Sequence, residues 1–192
     1  MLKQIKYLCL LGCIVFTLNV AKAATGTVWL SEAPVIPNIE LTDQDGHKVR
    51  LDELIPEHIV LVNFMFTNCN SGCSPQTAIL RATQEAIEVS DLNGKILLIS
   101  ITVDPLTDSP AQLRHYAERF DVRTGVENGW VFLTGSSQQV RRIMQSFGER
   151  GSVPEAHTNL IWIGNQAKKR WTRTAALNGP DVLSRLVREI TQ

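Results

Sequence analysis

The sequence predicts an α/β sandwich, a mixed central sheet flanked by helices, and three observations carry that prediction. Residues 59–66 and 95–103 are near-continuous apolar runs, the pattern of strands covered on both faces. Three later segments place apolar residues at i, i+3, i+4 and i+7, so each puts one apolar stripe on a helix. They are Leu113, Tyr116, Ala117 and Phe120; Val140, Ile143, Met144 and Phe147; and Leu183, Leu186, Val187 and Ile190. Strands alternate with helices, and a hairpin and a final helix close the chain, as a layered mixed sheet requires.

The elements follow in order. Residues 24–38 contain Pro34 and Pro37 with little periodicity and read as an extended linker, and 39–192 read as one domain. Ile39-Glu40-Leu41 and Val49-Arg50-Leu51 flank Asp45-Gly46, the signal of an N-terminal β-hairpin. After the strand at 59–66, a helix is expected to start with Ser74 as its cap and Pro75 at its first position. Asn93-Gly94 turns the chain into the strand at 95–103. Ser109-Pro110 caps the first of the striped helices, Gly148 ends the second and Pro180 opens the third. Trp130 to Leu133 and Leu160 to Ile163 are strands, with Gly164-Asn165 turning into Arg170-Trp171-Thr172.

At the N-terminus, Lys3 and Lys6 precede an apolar stretch from Tyr7 to Val20, followed by Ala21-Lys22-Ala23. This is the order of a secretory signal peptide, residues 1–23, cleaved after Ala23. The apolar run is shorter than the roughly 20 residues a spanning helix needs, which ranks an uncleaved anchor lower. Leu11-Gly12-Cys13 offers a third fate, lipidation at Cys13. Each places the remaining chain outside the cytoplasm, in the periplasm of a two-membrane cell, free or held to a membrane by its N-terminus. Of the 192 residues, 44% are hydrophobic and 20% charged, an ordinary globular composition with no sign of disorder. The formal charge is zero and becomes slightly acidic without Lys3, Lys6 and Lys22, so there is no electrostatic footprint for nucleic acid.

With Cys9 and Cys13 in the leader, the mature protein keeps Cys69 and Cys73, separated by Asn70, Ser71 and Gly72. They sit where a buried strand stops and a helix starts, and this narrows the prediction to a thioredoxin-like fold. Two cysteines are too few for a disulfide scaffold. A small structural disulfide would stabilise little, because the gain rises with loop length, whereas a helix N-terminus favours thiolate chemistry. Two chemistries remain open. The pair could exchange disulfides, Cys69 attacking and Cys73 resolving. Alternatively the longer, glycine-containing loop could aim both sulfurs at one ion, and two thiolates with an imidazole suit Cu(I).

Four histidines could supply that imidazole. His47, His58 and His115 read as surface residues. His157 differs, because in a thioredoxin-like sheet the strand from Leu160 runs antiparallel to 59–66. The residues just before Leu160 then lie beside the end of that strand, and His157 faces the cysteine loop.

Together these segments resemble the Sco/SenC proteins, thioredoxin-like copper-binding factors of cytochrome c oxidase assembly. Phe66-Thr67-Asn68-Cys69 with Cys73 matches the family's strand and Cys-x-x-x-Cys loop. Val103-Asp104-Pro105 with Asp108-Ser109-Pro110 is similar to its second signature, and Trp130-Val131-Phe132-Leu133-Thr134-Gly135 to a third. His157 falls where the family carries its metal-binding histidine. The chain departs from the pattern at Asn70 and Ser74, where the family has proline, at Ala156, where aspartate is common, and at Leu106 and Thr107, in place of a charged pair.

The resemblance implies an exported copper chaperone, holding Cu(I), with Cu(II) as the other oxidation state, through Cys69, Cys73 and His157. It implies delivery to a respiratory metalloenzyme such as cytochrome c oxidase subunit II, and a copper donor or thiol reductant as a second partner. The alternative is an enzyme, a thiol–disulfide oxidoreductase that reduces cysteines of a client's metal site, with Cys69 and Cys73 as its catalytic pair. Against a general reductase, His157-Thr158-Asn159 stands before the Leu160 strand, where thioredoxins carry a proline. Lys168, Lys169, Arg170 and Arg173 form a basic strip read as a solvated hairpin tip. Asp104 and Asp108 are expected to cap the following helix or to shape the loop near the site.

Overall fold

The computed structural model describes residues 26–69, 73–149 and 154–192. Residues 1–25, with Cys9 and Cys13 and the segment read as a leader, the loop residues Asn70, Ser71 and Gly72, and Arg150, Gly151, Ser152 and Val153 lie outside the described residues. Among the described residues, no helix is long and apolar enough to cross a membrane.

The strands are β1 (Val28–Trp29), β2 (Glu40–Asp43), β3 (Lys48–Arg50), β4 (Ile59–Met65), β5 (Ile96–Thr102), β6 (Trp130–Thr134), β7 (Leu160–Asn165) and β8 (Arg170–Ala175). They form one sheet in the order β1-β8-β7-β4-β5-β6-β2-β3. The pairs β4–β5 and β5–β6 are parallel and the rest antiparallel, so the sheet is mixed as expected. The helices are α1 (Leu51–Glu57), α2 (Cys73–Glu88), α3 (Pro110–Glu118), α4 (Ser137–Ser146) and α5 (Pro180–Thr191).

Side chains alternate across a strand, and β4, buried at all seven positions, shows what each face carries. Ile59, Leu61 and Met65 join Leu80 of α2, Leu113 and Tyr116 of α3, and Leu183 and Leu186 of α5. Val60, Val62 and Phe64 join Leu51 and Ile55 of α1 and Val140 and Ile143 of α4. On this second face Phe64, Phe147 and Trp162 pack edge to face at 5.5–5.9 Å, and Trp171 meets Phe147 at 5.8 Å. The predicted stripe of α5 is buried in full; in α3 and α4 the first three residues of each stripe are buried within the helix, while Phe147 caps the end of α4 and Phe120 lies past the end of α3, half-buried.

The β2–β3 hairpin forms as expected, turning through Gly46 at φ +86°, a left-handed conformation that favours glycine. Four local readings change. Leu51, read as the end of a strand, opens α1. This short helix contains Pro56 and is held by burial of Leu51 and Ile55 rather than by propensity. Helix α2 begins at Cys73, so Pro75 is its third residue and Ser74 lies inside the helix. Within the segment read as a linker, Val28–Trp29 pairs with β8, and Trp29 lies under the Arg170 guanidinium at 5.2 Å.

The fourth change is at Gly164-Asn165, which continues β7 instead of turning. Gly164 is there for space: it pairs with Trp171, and a Cβ at 164 would overlap the indole ring. Gly164→Ala is therefore expected to destabilise the domain by about 1–3 kcal/mol through overpacking. The midpoint of urea unfolding checks this, and an unchanged midpoint would show that the Trp171 ring can retreat.

Candidate functional site

The antiparallel register of β4 and β7 pairs Ile59 with Asn165 and Asn63 with Ile161. The start of β7 therefore lies beside the end of β4, as the sequence argument required. Phe66, the residue after β4, is buried, and its ring meets the His157 imidazole edge to face at 5.9 Å. Three residues further along, the Cys69 backbone N–H donates to the Phe66 carbonyl at 3.3 Å. His157 and the cysteine loop thus share Phe66 as a common wall.

His157 is half-buried, and Nδ1 lies in hydrogen-bonding contact with the Pro154 carbonyl. A carbonyl only accepts, so Nδ1 carries the proton and the Nε2 lone pair is left to bind a metal.

Both cysteines are thiols. The backbone N–H of Cys73, the first residue of α2, donates to Cys69 Sγ at 3.3 Å. The sulfur of Cys69 thereby accepts one of the amide protons a helix start leaves over, at the positive end of the helix dipole. Cys73 has a different environment. It is 2% exposed, and burial pushes its thiol up from 9.0 to about 12, with the hydrogen bond to Cys69 acting in the same direction. At Cys73 burial works against the thiolate that a helix N-terminus favours.

Tyr116 lies close to the pair. Its hydroxyl shares a 2.7 Å hydrogen bond with Thr77 of α2, and burial raises its phenol from 10.0 to about 12. Cys73 and Tyr116 are both neutral when protonated, and both have folded values above the unfolded ones. The unfolded chain therefore loses these protons first as pH rises, and stability falls. The contribution is fully present below about pH 9 and disappears as pH approaches about 12. Urea midpoints of the metal-free protein should decline over that window, and Tyr116→Phe should flatten the part above pH 10. A profile level from pH 9 to pH 12 would contradict the assigned burial.

The loop carrying Cys69 is anchored by Asp108, which is 0% exposed. Oδ2 accepts from the Thr67 backbone N–H at 3.0 Å and from Thr102 Oγ1 at 2.6 Å, and Oδ1 accepts from Thr67 Oγ1 at 2.5 Å. One buried side chain thus ties the exit of β4 to the end of β5. Of the two roles read for Asp108, loop shaping is the one it has. Helix α3 is capped instead by Ser109, whose Oγ accepts from the Gln112 N–H at 3.3 Å. Asp104 donates its backbone N–H to Thr102 Oγ1 at 3.0 Å, in the same corner.

The other histidines stay outside this corner. His58 meets the Leu54 carbonyl and His115 lies 3.8 Å from Glu118. His47 belongs to a hairpin cluster with Asp43 and Asp45, and it is this cluster, among the described residues, that brings three ligating atoms within 4.8 Å of one another. Its groups are spent on each other and on Arg114, 3.0 Å from Asp45. Cys69, Cys73 and His157 stand further apart than that. The basic strip is partly engaged, with Lys168 on the Thr191 carbonyl and Trp171 buried.

Comparison with known proteins agrees with this architecture. The sequence pattern of the family described as SCO1/SenC matches residues 30–177. The SCO1 protein homolog of Bacillus subtilis (strain 168) is 38% identical over 121 residues, 62% of this chain and 60% of that protein. This chain therefore spans less than two thirds of that curated relative. Among solved structures, BsSco is described as a member of the Sco family of cytochrome c oxidase assembly proteins with a disulfide switch. It superposes with a TM-score of 0.70 at 24% identity, over 83% of this chain and 94% of its own. Arabidopsis thaliana ScoI, solved with copper bound, superposes with a TM-score of 0.67 at 21% identity, over 82% and 99%. At these identities the superpositions establish the thioredoxin-like fold, and the match across most of the domain establishes descent: the chain belongs to the SCO1/SenC family.

Proposed function

We propose that this chain is an exported metallochaperone that holds Cu(I) through Cys69 Sγ, Cys73 Sγ and His157 Nε2 and passes it to a respiratory metalloenzyme such as cytochrome c oxidase subunit II. The observation that carries the reading is that His157 and Cys69 both contact Phe66, His157 through the ring and Cys69 through the backbone carbonyl. Two sulfurs and one neutral imidazole nitrogen form a soft donor set of the kind that favours Cu(I) over harder ions. Nδ1 is already committed to the Pro154 carbonyl, which fixes the tautomer that leaves the Nε2 lone pair available. The copper-bound ScoI relative supports copper as the cargo, and the leader-like N-terminus supports export.

Each residue has a defined part. Cys69, half-buried at the mouth, offers the first sulfur to an incoming ion. Cys73 gives up its proton to solvent as the second sulfur binds. His157 closes the set and, as a neutral ligand on a loop, is the easiest to release when the ion passes to a client by ligand exchange. Anaerobic Cu(I) titration against a competing chelator tests the assignment. Wild type should hold one ion per chain, and His157→Ala should weaken it by at least about 100-fold, beyond the range of an outer-shell substitution. Affinity indifferent to His157 would remove it from the site.

A second reading draws on the asymmetry of the thiols. An outer Cys69 and a buried Cys73 whose proton is held tightly are the arrangement of an attacking and a resolving cysteine. The protein would then reduce a client's metal-site disulfide. His157→Ala separates the readings, because it should leave dithiol exchange largely intact while damaging copper affinity.

A further inference from the structure

Helix α2 buries Cys73, Gln76, Thr77 and Leu80 on one face. Thr77 is satisfied by Tyr116, and Gln84 further along spends its amide N–H groups on the Arg123 and Asn128 carbonyls at 2.9 Å. Gln76 is 0% exposed, yet among the described residues neither its Nε2 nor its Oε1 has a hydrogen-bond partner. A fully buried amide with both ends unspent is costly to keep, and such a group in a folded protein calls for a reason.

Position supplies one. Residues three apart on a helix are neighbours, with Cβ atoms about 5–6 Å apart. Long side chains also lean back toward the helix N-terminus, over the residue three or four before them. For Gln76 that residue is Cys73. In the dithiol state the Cys73 thiol is engaged with Cys69 and places no demand on the amide. Once Cys73 is a metal-bound thiolate, its sulfur carries negative charge in a buried setting, and the N–H group of a neighbouring primary amide is the complement it lacks.

We infer that Gln76 is a positioning residue for the metal-loaded state, its side-chain Nε2–H group donating to Cys73 Sγ when that sulfur is bound to copper. This rests on the copper reading above and adds a residue to it. The orphaned amide of the metal-free protein is then the cost of preorganisation: a donor held in place before its acceptor is charged. Hydrogen bonds to the coordinating sulfur are a recognised means of tuning copper–thiolate sites.

The test is Gln76→Met, which keeps the volume and removes the amide. Three outcomes are expected together. The metal-free protein melts at the same temperature as wild type or higher, because an unsatisfied buried group has gone. Cu(I) affinity, measured by chelator competition, falls by about 10- to 100-fold. The sulfur-to-copper charge-transfer band of the Cu(II)-loaded protein moves to lower energy, since an N–H donor stabilises the sulfur lone pair from which the electron is promoted. A band unmoved by Gln76→Met overturns the inference whatever the affinity does, and points to a buried water as the amide's partner. Wild-type protein that binds Cu(I) weakly and shows no such band with Cu(II) would instead sink the copper reading, and this inference with it.

Discussion

Cys69→Ser is expected to abolish tight Cu(I) binding. The hydroxyl is a hard, neutral donor where the site needs a soft thiolate, so the loss should far exceed the about 10- to 100-fold of an outer-shell change. It should come at little cost in folding. Cys69 is half-buried, and a serine oxygen can still accept from the Cys73 N–H that now meets the sulfur. The same variant removes the attacking thiol under the oxidoreductase reading, so it establishes the site rather than the activity. Chelator competition on the reduced protein checks it, and near-native affinity would move copper elsewhere.

Asp108→Ala is expected to destabilise the domain by about 3–4 kcal/mol, because it strands the Thr67 N–H, the Thr67 hydroxyl and the Thr102 hydroxyl in a buried corner. For a domain of this size that lowers the melting temperature by roughly 6–15 °C. Thr67 is two residues from Cys69, so the loop should also lose its fixed exit from β4, and Cu(I) affinity should drop with it. Asp108→Asn keeps the volume and one acceptor oxygen and should fall between the two. Calorimetry with chelator competition on both variants decides the matter. An Asp108→Ala protein that melts with wild type would mean the corner is hydrated and its bonds are replaced by water.

Much of the domain could be read from residue order alone. Where a signal is local and repeated, as in the stripes of α3, α4 and α5 or the apolar runs of β4 and β5, the element followed. Where two local signals compete, packing chose between them. Gly164-Asn165 looks like a turn until Trp171 lies across it. Helix α1 has Pro56 against it and exists because Leu51 and Ile55 find the second core. The two cysteines and His157 could be singled out as candidates from spacing and strand direction, but their environments could not.

The sequence by itself determined the chemical inventory: two thiols at a strand-to-helix junction, one histidine ahead of an antiparallel strand, and the periodicities that build the layers. Those are properties of neighbours along the chain. Tertiary structure decided which groups meet and what each contact does. It set His157 against Phe66, brought Asp108 to Thr67 across 41 residues, buried Cys73 deeply enough to hold its proton, and left Gln76 without a partner among the described residues. The reason is that burial and hydrogen-bond satisfaction depend on every element packed around a group, and no window of sequence contains them all.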